Sequence, residues 1–299
     1  MIGGGSPEKY QSLPGGSYTP PTGDRGSKIL GPLKAEGARG VTIAVVSTVV
    51  VFGLLAFVIL NSSGWPQVKE AFFDPEVFWE SLGKILAKFG RDVFIFVVAE
   101  IFVLMLALLV AVVRSLRGPV FTPLRIMAAA YTDLFRAVPT ILVIFLLGFG
   151  APALQIKGVP HSDLFWAIVA LVLVYSAYVA EVYRAGIESI HPSQTAAARS
   201  LGLGRGKAMR YVVLPQAIKR VLPPLLNDFI GLQKDSALVA VLGVTEGLRQ
   251  AQITQATFFN FTPYVSLALV YVMITIPQVL FVDWLIKRDQ RRQQAGGVA

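Results

Sequence analysis

The 299-residue chain has no cysteine and only two histidines, His161 and His191. The first absence excludes structural disulfides, thiol catalysis and thiolate-held metals, and the wide separation of the two histidines gives no metal pair. No metal site and no catalytic residue is expected. Charge is also scarce. Only 15% of residues are charged and 54% are hydrophobic, with a mean hydropathy of +0.62, whereas soluble domains carry roughly 25% charged residues. That balance excludes an ordinary soluble enzyme and describes an integral membrane protein.

A bilayer core of about 30 Å needs about 20 apolar residues per helix. Six stretches approach that length: Val41–Leu60, Val93–Val113, Val138–Leu154, Leu164–Ala180, Val221–Val244 and Tyr264–Ile286. The first is charge-free and follows a forty-residue tail, so it reads as an anchor and not as a cleaved signal. The second is interrupted only by Glu100. The fifth contains Asp228, Lys234 and Asp235, and its proline pair Pro223 and Pro224 predicts a kink or a delayed start. The fold class is therefore all-α and polytopic, with about six membrane helices. Residues 1–40 are rich in Gly, Pro and Ser and predict a disordered tail.

Lysine and arginine crowd four regions: the tail, Arg114–Arg136, Arg184–Arg220 and the carboxy-terminal end. Cytoplasmic loops carry such an excess, so both termini are expected inside. The net charge of +9 then lies beside anionic lipid headgroups and implies no nucleic acid partner. Trp65, Trp79, Trp166 and Trp284 fall near the span ends and read as interfacial anchors.

Between two apolar spans lies QTAAARSLGLGRGKAMRYVVLP, Gln194–Pro215. Ala196–Leu201 is a run of helix formers, Gly202, Gly204 and Gly206 permit a turn, Lys207–Val213 starts a second helix, and Pro215 is expected to stop it. A helix, a turn and a helix result. The GLGRGKAM segment is not a phosphate loop, because Leu201 and Ala208 stand where that loop needs Gly and Ser or Thr.

This loop resembles the cytoplasmic loop of the permease subunits of bacterial ATP-binding-cassette importers, the EAA motif. Ala196, Ala197 and Ala198 occupy its first places, Gly202 its glycine, and Val212, Leu214 and Pro215 its close; Ala196 replaces the usual acid. The resemblance covers roughly Phe78–Arg288. YTDLFRAVPT (Tyr131–Thr140), AYVAEVYRAGIESI (Ala177–Ile190) and LPPLLNDFIGLQKDSALVAVLGVTE (Leu222–Glu246) resemble segments of the permeases for polar amino acids.

The resemblance implies a type I importer core of five helices, residues 93–288. It is preceded by an added helix, 41–60, and an extracytoplasmic connection, 61–92, and followed by a tail, 289–299. It implies a bacterial cytoplasmic membrane location and a substrate of the glutamate, glutamine, histidine or arginine class. The implied partners are a pair of ATP-binding subunits, a second permease chain and an extracytoplasmic binding protein. The resemblance places ATP and Mg on the partner ATPase and implies no cofactor on this chain. The coupling residues implied are Gln194, Ala196, Ala197, Ala198, Leu201, Gly202, Leu214 and Pro215.

Ionisable groups inside apolar spans are costly and usually face a cavity or a partner. Glu100, Glu181, Arg184, Asp228, Lys234, Asp235 and Ser236 are the candidates for the substrate path or a gate. Lys234 and Asp235 read either as a zwitterion site or as an ion pair between two permease chains. Glu181 and Arg184, at i and i+3, read as a gate or a helix-end salt bridge. Asp133 and Arg136, before Pro139, read as an elbow or a hinge. The alternatives are an importer permease for another small solute, or an ion-gradient-driven transporter with Glu100, Asp228 or Asp235 carrying a proton.

Overall fold

The structure is a computed structural model that describes residues 25–116 and 118–296. The disordered reading of residues 1–24, and the last three residues of the carboxy-terminal tail, lie outside the described residues. The chain divides into two units, one up to Trp65 and one from Pro66 onward. The first contains α1 (Arg25–Leu60), which begins inside the segment read as tail. Its apolar stretch from Val41 to Leu60 is exposed along its length, as expected of a surface facing lipid.

The second unit is built from α2 (Trp65–Phe72), α3 (Pro75–Ser115), α4 (Thr122–Ala137), α5 (Thr140–Ala153), α6 (Asp163–Glu188), α7 (Pro192–Ser200), α8 (Arg205–Ala208), α9 (Leu214–Asp235), α10 (Gly247–Phe258) and α11 (Thr262–Gly296). Among the described residues there are no strands. Helix α6 is the axis, with α3, α4, α5 and α9 all packed on it. Its Ala167, Ala170, Leu171, Val174 and Ala180 are fully buried and meet Ile95, Ala99 and Val103 of α3. Small residues on α6 allow close approach of helices where lipid offers no hydrophobic driving force.

Helix α3 holds 41 residues, about 60 Å at 1.5 Å per residue, twice the apolar thickness of a bilayer. It starts at a polar cap. Asp74 accepts from the Glu76 and Val77 amides at 2.9 and 3.1 Å, and Pro75 fills the first helical position, where a missing N–H costs nothing. Its outer half packs Ile85 and Phe89 on Ala251, Leu267 and Val270 of α10 and α11. The segment read as a connection, 61–92, is thus mostly helix.

Among the described residues four helical stretches are long and apolar enough to cross a membrane: Gly40–Leu60, Trp65–Ser115, Asp163–Glu188 and Thr262–Arg288. The pair Pro119–Ala137 and Thr140–Ala153, bent by 105°, makes a fifth if taken as one span. The count of about six is therefore approximate. The difference lies in Val221–Val244, where α9 ends at Asp235 and a 3₁₀ segment runs from Ser236 to Leu242. Pro223 and Pro224 neither end nor delay α9, which opens at Leu214. Pro215 does not stop a helix either. It sits in the first turn of α9, where proline is tolerated.

Candidate functional site: the α7 loop and the charged strip above it

Helix α7 is framed by two local caps. At its start the His191 Nδ1 accepts from the Ser193 amide at 3.2 Å, with Pro192 at the first helical position. At its end Gly202 has φ +84°. The Gly202 amide donates to Arg199 O at 3.0 Å and the Leu203 amide to Ala198 O at 3.2 Å. That is a Schellman cap, whose left-handed position favours glycine. The chain then turns through α8 and a π turn, Met209–Val213, into α9.

The cap leaves one side of α7 open. Gln194, Ala196 and Ala197 are exposed and Ala198 faces inward. Leu201 protrudes with 84% of its surface free. Of the other loop candidates, Leu214 and Pro215 are exposed at the start of α9. The open side of α7 therefore presents small side chains and one protruding leucine.

The loop is tied to the helices above it. Ile190, Val213 and Ala217 form a small core with Ile187, and Arg220 donates to the Ser189 carbonyl. A Cβ on Gly186 of α6 would overlap Val221 Cγ1 of α9. One turn higher, Glu181 collects three arginines. It accepts from Arg114 of α3 at 2.9 Å and from Arg184, and Arg136 of α4 lies 4.0 Å away. Arg184 also pairs with Glu188. Arg114 donates in addition to Thr132 Oγ1 at 3.1 Å, so one guanidinium joins α3, α4 and α6. Sequence spacing exposed the Glu181–Arg184 pair but not Arg114, whose partner lies 67 residues away.

Farther along α3 and α9 stand the half-buried Glu100 and Asp228. Asp235 accepts from the Tyr175 hydroxyl at 2.9 Å. One oxygen of Asp228 is buried without a hydrogen-bond partner. Among the described residues no ion pair neutralises Glu100, Asp228 or Asp235. Lys234 is exposed and does not pair with Asp235. Ser236 is fully buried and donates to Gln233 O at 2.7 Å, so it caps the end of α9.

Near the middle of α3 a second carboxyl pair was not singled out from sequence. Glu246, fully buried, caps α10 by accepting from the Leu248 and Arg249 amides at 2.6 and 2.9 Å. Asp92 accepts from the Gly247 amide at 2.8 Å and the Tyr271 hydroxyl at 3.2 Å. Burial, then the hydrogen bond and charge of Asp92, push the Glu246 carboxyl up to about 9. Its signal was a cap residue before Gly247 in the run TEGL. Among the described residues no His, Asp and Glu group could hold a metal.

The chain resembles known proteins over most of this core. It is 37% identical over 182 residues to a probable glutamine ABC transporter permease protein, GlnM, of Bacillus subtilis, covering 60% of this chain and 82% of that protein. It is 36% identical over 190 residues to the arginine transport system permease protein ArtQ of the same organism, covering 62% and 84%. The fold matches the crystal structure of an amino acid ABC transporter with histidines at a TM-score of 0.66 and 30% identity, over 72% of this chain and 98% of that one. Residues 104–293 match the family described as the inner membrane component of binding-protein-dependent transport systems. The chain belongs to that family, as a polytopic, all-α permease.

Proposed function

We propose that the chain is the permease subunit of an importer for a polar amino acid, driven by an ATPase that docks on α7. The observation that carries the reading is the exposed α7 helix: small side chains, a left-handed glycine cap and Leu201 standing out of a loop anchored to α6 and α9. ATP and Mg belong to the docked ATPase pair; a second permease chain and an extracytoplasmic binding protein complete the assembly. The α7 side faces the cytoplasm, in keeping with the basic residues around it.

The substrate path runs along the strip of Glu100, Asp228, Tyr175 and Asp235. Uncompensated carboxylates in a low-dielectric span call for a cation, and the α-ammonium of an amino acid supplies one. Amino acid transport by relatives at 36–37% identity supports the same substrate class. The Glu181 cluster sits between strip and loop and ties α3, α4 and α6 into one moving body.

The test is uptake of a radiolabelled amino-acid panel into proteoliposomes holding the complete complex, with and without ATP, for wild type and Leu201→Asp. A side chain that exposed has no packing role in the chain itself, so assembly of the permease is expected to survive. We expect ATP-dependent uptake of a polar amino acid and its loss, with loss of ATPase copurification, in the variant. Uptake that runs on an ion gradient without ATP and ignores Leu201 overturns the reading.

A further inference from the structure

The mouth of the Arg114 pocket contains a cation that the transport reading does not use. An open pocket of about 320 Å³ is lined by Arg114 of α3 and by Thr122, Arg125, Ile126 and Ala129 of α4. Arg125 is half-buried and donates to Thr122 Oγ1 at 3.0 Å, while its Nε is buried with no hydrogen-bond partner. Among the described residues no carboxylate pairs with it. The neighbouring cluster does not compensate it, since Arg114, Arg136 and Arg184 share only Glu181 and Glu188. No side chain caps the amino terminus of α4, so the positive end of that helix adds to the pocket.

The walls beside these polar groups are apolar. Val120, Ile126 and Met127 are largely exposed and Leu124 about half exposed, around a helix that turns 105° from the span that follows it. A cationic, partly buried head with an exposed aliphatic flank matches a molecule with an anionic head and hydrocarbon tails. Basic pockets between helix ends are suited to phospholipid headgroups, and arginine forks grip phosphate oxygens through paired N–H groups.

We propose that this pocket binds the phosphate of an anionic phospholipid from the leaflet on the α7 side, with its acyl chains along Val120, Ile126 and Met127. Lipid then becomes a partner of the chain at a defined site, within contact of the arginine that joins α3, α4 and α6. The site is independent of which solute passes through the permease.

The test uses the purified full-length complex, delipidated in neutral detergent, and native mass spectrometry with titrated phosphatidylglycerol, phosphatidylcholine of the same chains, and glycerol 3-phosphate. Wild type is expected to retain phosphatidylglycerol saturably, and glycerol 3-phosphate is not expected to displace it. Loss of a charged hydrogen-bond donor predicts about a tenfold weaker affinity for Arg125→Gln. Arg125→Lys, which keeps the charge, is expected to fall between them and serves if the glutamine variant does not assemble. Equal retention by wild type and the assembled variants overturns the proposal. So does equal retention of phosphatidylcholine, which leaves only acyl contacts, or displacement by glycerol 3-phosphate, which makes the pocket a site for a soluble anion.

Discussion

Gly202 shows what a single backbone angle does for the loop. At φ +84° it places two amides against the last carbonyls of α7, yet nothing lies within 4 Å of where its Cβ would be. The constraint is conformational, not steric crowding. A left-handed L-residue costs roughly 1–2 kcal/mol, with Asn and Asp tolerated best. Gly202→Val should speed hydrogen exchange of the α7 amides by about tenfold, by the usual 1.4 kcal/mol per decade, while Gly202→Asn changes it little. Similar exchange in the two variants would show that the cap does not hold α7. Motif spacing made this glycine legible. It misread Pro215, because a proline that stops one helix and a proline that opens the next look alike in a string of letters.

At the scale of elements, the joint between α6 and α9 is set by Gly186 against Val221. Alanine in a helix is normally favoured over glycine by about 1 kcal/mol, but here its methyl group would overlap a stiff β-branched side chain, and overpacking costs roughly 1–3 kcal/mol. Gly186→Ala is therefore expected to lower the thermal midpoint of the detergent-solubilised protein. In a Val221→Ala background the same change is expected to raise it, and a double-mutant cycle of thermal midpoints measures the reversal. Additive effects would place the joint elsewhere. The apolar half of α3 was legible as a span. Its outer half was not, since Glu76, Glu80, Lys84, Lys88 and Arg91 dilute the hydropathy while Ile85 and Phe89 keep a helical stripe buried on α10 and α11.

For the molecule as a whole, pH dependence is expected from the buried pair that ties α3, α10 and α11. An acid raised from 4.5 to about 9 favours the fold in its protonated form. Its contribution is fully present below about 4.5 and is lost as pH rises through about 9. The thermal midpoint should fall between pH 7 and 10, and Glu246→Gln, neutral at every pH, should flatten that fall. An unchanged slope would assign the decline to other groups. The all-α class and the α7 loop were legible from the sequence, because apolar length and glycine placement are local. The carboxyl pair and the Arg114 bond were not, since each is made by residues more than sixty positions apart.

Proline placement divides the long helices of the core into two mechanical kinds. Helices α5, α9 and α11 hold proline in their interiors, at Pro152, at Pro223 and Pro224, and at Pro277. After Pro75 there is none in α3, and α6 has none at all. The interior prolines are ready points of bending, whereas the α3–α6 pair is a stiff beam. If, as proposed, an ATPase docks on α7, a push at that end would tilt the pair as one piece, and a tilt of a few degrees over about 60 Å of helix would displace the far end by several ångströms. On that proposal α3 is the long arm of a lever, with the proline-bearing helices as the parts that give.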